Sequence, residues 1–304
     1  WDPRYLPLLL ISAVVNFLAG RALAGSARAR SRRLLLALSI GFNLILLGYF
    51  KYANFFVANL EAVSGLAIAF RKVVLPLGIS FFTFTQIRYL VDRRDGIGKD
   101  LGSVPYTVFV TFFPHLIAGP ILHIREVGPQ LLDRTRMRLR AESFAPGLTM
   151  FTIGLVKKVL LADPLSPVVA AGFSHAGGLS LFSSWSASLA YMAQLYFDFS
   201  GYSDMAIGLA AMFGVRFPLN FNSPLKATSI IDFWQRWHMT LTRYLGLLLY
   251  NPVAFAITRR HMARGLKVSP KALARPGAFL SMVAVPTFYT MILAGIWHGA
   301  GLQF

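Results

Sequence analysis

Long apolar stretches constrain this chain more than any other feature. Eight of them meet or approach the roughly 20 residues that a helix needs to cross a bilayer. They are Tyr5–Gly20, Leu34–Phe50, Val73–Leu90, Val104–Leu122, Phe144–Leu161, Leu179–Phe199, Met239–Ile257 and Ala278–Trp297. The composition agrees, with 56% hydrophobic and 14% charged residues. We therefore predict an all-α polytopic membrane protein.

Four further segments depart from ordinary lipid-facing helix. Tyr52–Phe70 and Met205–Phe217 are weakly apolar, and we expect them to be short, tilted or re-entrant. Phe112–Pro120 and Phe217–Pro224 are crowded with proline and aromatic residues. Proline breaks helices, and irregular backbone is tolerated at membrane depth only where protein or water satisfies it. We expect both Pro-rich segments to pack inside the protein.

The net charge of +18 comes from short basic runs between the apolar stretches. These runs are Arg21–Arg33, Arg125–Arg140 and Arg259–Arg275. Basic loops between spans are typical of the cytoplasmic face of a membrane protein. Nucleic-acid binding would instead need a basic soluble surface with a supporting motif, so we expect no nucleic-acid partner.

The chain contains no cysteine, which excludes disulfides, thiolate metal sites and a cysteine acyl-enzyme within it. Any thioester used in its chemistry must come from a partner or a cofactor. The sequence begins at Trp1 and stops at Phe304 inside an apolar run. We expect it to be an excerpt of a longer protein.

A polar helix is predicted to begin near Ile230. Ser229-Ile230-Ile231-Asp232 fits the helix-start signature in which a serine is followed three residues later by an acidic residue. The helix would carry Asp232, Trp234, Arg236, Trp237, His238 and Arg243. Residues four apart share a helix face, so Asp232 is expected to pair with Arg236, and Trp234 to lie beside His238. Such a helix suits an interface or a polar cavity.

Ionisable groups in apolar sequence are costly and indicate functional sites. His298 stands between small residues in Ala294–Gly301, which would let a substrate approach its imidazole. A neutral imidazole can accept a hydroxyl proton, but a structural histidine bonded to a neighbouring helix fits the motif as well. His238 allows the same two interpretations.

Asp198 and Asp204 are six residues apart, and each is expected to bond a separate partner.

The remaining histidines give weaker signals. His115, in a Pro-rich segment, is a candidate for lining a cavity, whereas His123, His175 and His261 lie in or near loops and are expected to be solvated. Six dispersed histidines form no metal signature, so we predict no metal site. Motifs for serine hydrolases, zinc proteases and nucleotide-binding loops are also absent from the sequence.

The motifs together resemble the membrane-bound O-acyltransferases, most closely the bacterial branch that acetylates alginate and other exported polysaccharides. The motifs that carry this resemblance are Trp1–Leu6, Pro76–Phe84, Phe112–Pro120, Gly154–Asp163, Tyr196–Asp204, Asn220–Pro224, Phe233–Thr242 and Gly295–Gly299. The resemblance runs over essentially the whole chain. It implies that His298 is the catalytic histidine and that His238 is the second functional position.

The resemblance also implies the architecture and the reaction. Residues 1–304 would form one membrane domain of the bacterial inner membrane, a ring of helices with re-entrant segments around a tunnel, incomplete at both ends. An acetyl group would pass from a cytoplasmic thioester, acetyl-CoA, to hydroxyls of an exported polysaccharide, directly or through an extracytoplasmic acetyltransferase partner. No cofactor would be bound permanently. Arg236 and Arg243 are candidates for attracting the phosphates of coenzyme A, although membrane-face charge also explains them.

Two departures from the family pattern are visible. Relatives usually carry an Arg-Asp pair after the Thr-Arg of the His238 segment, whereas this chain has Tyr244–Tyr250 there, without either charge. At position 115, this chain has histidine where relatives commonly have glutamine.

Two other functions stay open. One is D-alanyl transfer from a carrier protein to teichoic acid, within the same family. The other is a transporter or flippase in which the polar residues form a substrate or proton path.

Overall fold

A computed structural model of the chain describes residues 3–98, 101–116, 119–133, 135, 140–174, 176–266 and 268–299. Most of these residues are helical, and none of them belongs to a β-strand. The prediction of an all-α protein is therefore confirmed for the described ranges. The ring around a tunnel stays a prediction.

Helices follow one another throughout the described ranges. The α-helices are α1 (Leu6–Gly25), α2 (Ala29–Ser64), α3 (Ile79–Arg94), α4 (Ser103–Thr111), α5 (Phe113–Leu116), α6 (Ile124–Leu132), α7 (Ala141–Val156), α8 (Ser166–Ser174), α9 (Leu181–Met212), α10 (Ile230–Arg236), α11 (Met239–Leu245), α12 (Asn251–Ala263), α13 (Pro270–Leu273), α14 (Pro276–Phe279) and α15 (Val285–His298). Wider π-helical turns follow α7, α11 and α14, at Lys157–Ala162, Gly246–Tyr250 and Leu280–Ala284. Short 3-10 helices occupy Pro3–Tyr5, Asp163–Leu165, Ala176–Gly178 and Pro224–Lys226.

Four helical stretches among the described residues are long and apolar enough to cross a membrane. They are Pro3–Gly25, Ala29–Ser64, Ala141–Ser174 and Pro276–His298. Each contains one of the eight apolar stretches predicted from the sequence, so those four predictions are confirmed by length and composition. The protein is therefore a membrane protein with several apolar helices.

The other four predicted stretches do not form apolar helices of that length. The stretch at 73–90 is helical only from Ile79, in α3, and most of α3 is buried. The stretch at 104–122 is interrupted at Phe112, and the one at 239–257 is divided between α11, a π-helical turn and α12. The stretch at 179–199 is helical from Leu181, in α9, which is long enough but rich in serine, tyrosine and aspartate.

The weakly apolar segments also differ from the expectation. Residues 52–64 simply continue α2, which runs without a break to Ser64. Residues 205–212 likewise complete α9. Neither segment is a separate re-entrant element over those residues, because the flanking apolar stretches extend through them as single helices.

The Pro-rich segments are only partly buried in the residues that are described, since Phe113 and Leu219 are exposed, and their re-entrant character stays a prediction. Helix α4 ends before Phe112, and Pro114, His115 and Pro120 are buried. In the second segment Phe217 and Asn220 are buried in irregular chain. The Asn220 amide donates to Ser203 Oγ of α9 at 3.0 Å, which supplies a polar partner inside the protein. Ile117 and Ala118 lie outside the described residues.

The chain divides into two compact units, which are described separately below. The first unit comprises residues 1–50 and 74–237, and the second comprises residues 51–73 and 238–304. Helix α2 belongs to the first unit up to Phe50 and to the second from Lys51. The prediction of one membrane domain over residues 1–304 is not tested by this division.

In the first unit, buried amides join α1, α2 and α3. Asn43 Nδ2 donates to Asn16 Oδ1 at 2.7 Å, and Asn16 Nδ2 donates to Asn43 Oδ1 at 3.2 Å. Gln86 Oε1 accepts from Asn16 Nδ2 and, at 2.9 Å, from Ser12 Oγ. All four side chains are buried. Polar groups that bond across helices hold membrane helices together where lipid offers no hydrogen-bond partner.

Glycines allow α7 and α9 of the first unit to approach closely. A methyl group added at Gly154 would lie 2.5 Å from the Gly201 carbonyl oxygen, and one at Gly201 would lie 2.7 Å from the Gly154 oxygen. Gly147 and Gly208 make the same reciprocal contact one heptad away, at 2.7 and 2.5 Å. Small residues at such positions let membrane helices pack backbone against backbone.

Two ion pairs flank this contact. Lys157 Nζ lies 2.6 Å from Asp204 Oδ2, and Lys158 Nζ lies 2.6 Å from Asp198 Oδ1. Lys158 also contacts Asp163 at 2.6 Å. The prediction that Asp198 and Asp204 bond separate partners is confirmed. Both carboxylates therefore stabilise the packing of α9 on the π-helical turn after α7.

In the second unit, α15 packs against the π-helical turn Gly246–Tyr250, and the turn Leu280–Ala284 packs against α12. The residues that follow α2 are fixed by a side-chain amide. Asn54 Nδ2 donates to the Val73 carbonyl at 2.7 Å, and the Val73 N–H donates to Asn54 Oδ1 at 2.9 Å. This unit contains both histidines that the sequence singles out.

Candidate functional site

The segment around His238 consists of two short helices rather than one. Ser229 Oγ accepts from the Asp232 N–H at 3.1 Å and caps α10, as the helix-start signature predicts. The predicted Asp232–Arg236 pair is also confirmed, with Nε 2.7 Å from Oδ1. However, α10 ends at Arg236, and α11 begins only after His238. The expectation of one continuous helix is wrong, and with it the shared face of Trp234 and His238.

His238 adopts a left-handed backbone conformation at this break. Its φ is +42° and its ψ is +51°, and its side chain is only 5% exposed. A left-handed conformation is uncommon for residues other than glycine, although asparagine, aspartate and histidine adopt it more often than the rest, and it persists where the surrounding structure holds it in place. Buried strain of this kind concentrates at functional sites. His238 is thus a constrained imidazole between two helices.

The strain predicts an order of stability among variants. His238→Val and His238→Asn both remove the imidazole, but a β-branched residue tolerates positive φ poorly whereas asparagine adopts it readily. We expect His238→Val to be less stable than His238→Asn by about 1–2 kcal/mol. Thermal unfolding of the purified variants would measure this difference. Equal melting temperatures for the two variants would contradict the proposed strain.

His298 is the last residue of α15. Gly299 continues in extended conformation, and its N–H donates to the Gly295 carbonyl at 3.2 Å. The imidazole is exposed in the described structure and contacts the Trp297 ring, with centroids 4.4 Å apart and an angle of 61°. His298 therefore places an imidazole ring at the C-terminal end of the apolar helix α15.

His298 and His238 both belong to the second unit, although 59 residues separate them along the chain. The charge of His298 acts on His238. One ring is buried and the other is exposed. That both belong to one site, and the role of each, stay predictions.

Lys51 is a member of this neighbourhood that the sequence analysis missed. Its ammonium donates to the Trp297 carbonyl and lies 5.4 Å from the centroid of the Trp297 ring. The available signal was a lysine between the apolar stretch Leu34–Phe50 and the weakly apolar segment Tyr52–Phe70. Buried or half-buried charge in such a run is costly and deserves a functional explanation.

The two arginines predicted to attract coenzyme A differ in their surroundings. Arg236 belongs to the first unit, where its guanidinium bonds Asp232 and, at 3.4 Å, the Asn222 carbonyl. The hydrogen bond from Arg236, followed by one from the Thr228 N–H, holds the pKa of the Asp232 carboxyl below its ordinary value. Arg243 lies in α11 of the second unit and is half-buried. Phosphate binding by either residue stays a prediction.

The other histidines are more buried than the sequence indicated. His123 is 4% exposed, so its prediction as a solvated residue is wrong. It lies directly before α6, which turns Ile124 and Val127 inward. His261 is half-buried, with Nε2 3.5 Å from Ser281 Oγ. His115 is enclosed, with Nε2 2.9 Å from the Phe109 carbonyl oxygen. His175 lies outside the described residues.

The groups gathered in the second unit limit the chemistry of the site. Two imidazoles and an ammonium can move a proton and stabilise negative charge, and the chain has no thiol. In the described part of the chain, no cluster of three or more histidine, aspartate or glutamate residues offers a metal site. General acid–base chemistry is therefore the reaction type that these side chains support.

The model of the MBOAT family, described as membrane-bound O-acyltransferases, matches residues 43–266. The chain belongs to this family. The match includes His238, and family membership together with the four apolar helices makes this an integral membrane protein.

Individual members of the family align with the chain as well. A peptidoglycan O-acetyltransferase of Helicobacter pylori is 38% identical over 329 residues, covering 100% of this chain and 59% of the relative. A probable alginate O-acetylase AlgI of Azotobacter vinelandii is 38% identical, covering 100% of this chain and 57% of the relative. A teichoic acid D-alanyltransferase of Bacillus subtilis is 26% identical over 75% of this chain and 55% of the relative. The chain thus spans less than two thirds of each.

Proposed function

We propose that the full protein is a membrane O-acetyltransferase that modifies an exported polysaccharide from the bacterial inner membrane. The observation that carries this proposal is that His238 and His298 lie in one unit of a chain that belongs to the MBOAT family. The relatives named as acetylating enzymes are 38% identical to it, and the D-alanyltransferase is 26% identical. The similarity therefore favours acetyl transfer over D-alanyl transfer.

The proposed reaction follows from the chemistry of the two imidazoles. His298 accepts the proton of the acceptor hydroxyl while the oxygen attacks the thioester carbonyl carbon of acetyl-CoA. The carbon–sulfur bond then breaks, and the proton passes from His298 to the thiolate, which leaves as coenzyme A. His238 orients or supports His298. In the relay form of the reaction, a His298 ring nitrogen attacks the thioester carbonyl carbon, the carbon–sulfur bond breaks, and coenzyme A leaves with the imidazole proton. The acceptor hydroxyl then attacks the acetyl carbon, the carbon–nitrogen bond breaks, and the hydroxyl proton returns to the imidazole.

The donor and the acceptor stand on opposite sides of the membrane in this proposal. Acetyl-CoA is confined to the cytoplasm, and the polysaccharide is outside, so the protein must bring the carbonyl and the hydroxyl into reacting geometry. Arg236 and Arg243 supply positive charge for the coenzyme A phosphates. The acceptor is a hydroxyl of a polymer such as alginate or peptidoglycan, reached directly or through an extracytoplasmic acetyltransferase.

The test uses inverted membrane vesicles that contain the full-length protein and polymer. One sample receives acetyl-CoA with a labelled acetyl group, and a second receives a labelled D-alanyl carrier protein. We expect label in the polymer and release of free coenzyme A from the first sample only. Label from the D-alanyl carrier would favour teichoic acid chemistry. Polymer movement without consumption of acetyl-CoA would favour a transporter, and vesicles without the protein serve as the control.

A further inference from the structure

We propose that Lys51 is a positioning residue for His298, an inference that rests on the function proposed above. Lys51 directly follows the apolar stretch Leu34–Phe50 in α2 and is the first residue of the helix that belongs to the second unit; its side chain is half-buried. Its ammonium donates to the main-chain carbonyl of Trp297, the residue directly before His298. The same ammonium lies 5.4 Å from the centre of the Trp297 indole.

The carbonyl that Lys51 contacts lies in the last turn of α15, which ends at His298. The Gly299 N–H, directly after the helix, donates to the Gly295 carbonyl. A cation at a helix C-terminus also interacts favourably with the helix dipole. Lys51 therefore fixes the final turn of α15 at the point where the imidazole leaves the backbone.

The second contact restrains the side chain beside the imidazole. A lysine ammonium within about 6 Å of an indole centroid is attracted to the ring face. The Trp297 ring in turn touches the His298 ring, with centroids 4.4 Å apart. Lys51 thus holds both the backbone and the ring of Trp297, and through them the direction of His298.

Lys51 has no carboxylate partner among the described residues, unlike the membrane lysines Lys157 and Lys158. Its charge is directed at the end of α15 rather than neutralised by an acid. A lysine that only extends towards the membrane surface would make no such pair of contacts. The geometry therefore favours a role for this charge at His298.

The experiment compares variants of the full-length protein in the vesicle assay. We expect Lys51→Met to lower kcat for acetyl transfer by roughly 10²-fold with little change in KM for acetyl-CoA, because a misplaced reacting group loses rate rather than donor affinity. Lys51→Arg retains the cation and the donors, so we expect it to recover most of the lost kcat. Lys72→Met, which removes an exposed cation of the same unit, is the matched control and should match the wild type.

Chemical restoration of the charge makes the test independent of folding yield. The chain has no cysteine, so Lys51→Cys introduces a single thiol into it. Aminoethylation of the folded, purified variant rebuilds an ammonium at that position, and kcat should rise at least tenfold, whereas the treated wild type should not change.

The two proposals fail in different ways. A wild-type protein that consumes no acetyl-CoA would remove the proposed function itself. Wild-type kcat in Lys51→Met would overturn the role of Lys51 alone, as would aminoethylation of Lys51→Cys without any gain.

Discussion

The His298→Ala variant of the full-length protein is expected to transfer acetyl groups at least about 10²-fold more slowly than the wild type. A positioned general base contributes roughly 10²–10⁴-fold to a rate, and no other described residue of α15 has a side chain that can accept a proton in this way. The imidazole is exposed at the end of its helix. We expect the variant to fold normally, because the substitution shortens a single side chain at the end of α15.

The measurement is the O-acetyl content of exported polysaccharide in cells that carry the wild type, the variant or no protein. Immunoblotting of membranes would show that the proteins are present at equal levels. His261→Ala is the control, since this histidine of the same unit lies near Ser281 instead. Acetylation at the wild-type level in His298→Ala would remove the proposed mechanism.

The second large effect is expected at the contact between α7 and α9. Gly201→Val would place a methyl-bearing carbon 2.7 Å from the Gly154 carbonyl oxygen and 3.1 Å from the Lys158 backbone nitrogen. Both neighbours are backbone atoms, which cannot move aside as a flexible side chain can. Overpacking of this kind costs roughly 1–3 kcal/mol and at times more. We expect a lower melting temperature and poor accumulation in the membrane.

Gly48→Val is the matched control for this effect. Gly48 lies within α2, and a methyl group there would meet no atom within 4 Å. Both substitutions place valine in a helix, so the difference between the two melting temperatures isolates the helix contact. The same melting temperature for the two variants would show that α7 and α9 do not pack as closely as described.

Local signals predicted local structure well. The cap at Ser229 and the pairing of Asp232 with Arg236 depend only on residues three or four apart, and the structure confirms both. The Pro-rich segments were predicted to be irregular because proline removes a backbone donor. Such features could be predicted because their cause lies within one turn of the chain.

The break at His238 could not be predicted in this way. Neither glycine nor proline stands between Trp237 and Met239, so the sequence carries no local signal that ends α10. The presence of His238 and His298 in one compact unit and the contact of Lys51 with Trp297 involve residues far apart in the chain. The contact between α7 and α9 did have a sequence signal, because Gly147 and Gly154 are seven residues apart in one helix and Gly201 and Gly208 are seven apart in the other. This spacing predicts a contact only once it is known that the two helices meet.

The amide cluster of the first unit has a consequence for biosynthesis. A chain made from its N-terminus brings α1 and α2 to the membrane before Gln86 has been synthesised. At that stage Asn16 and Asn43 can satisfy each other, as their two reciprocal hydrogen bonds show. Gln86 then arrives on α3 with an acceptor that Asn16 and Ser12 can still bond. The cluster thus allows α1 and α2 to insert into lipid as a pair without unsatisfied amides. It also fixes the rotation of α3 about its own axis when α3 packs against them.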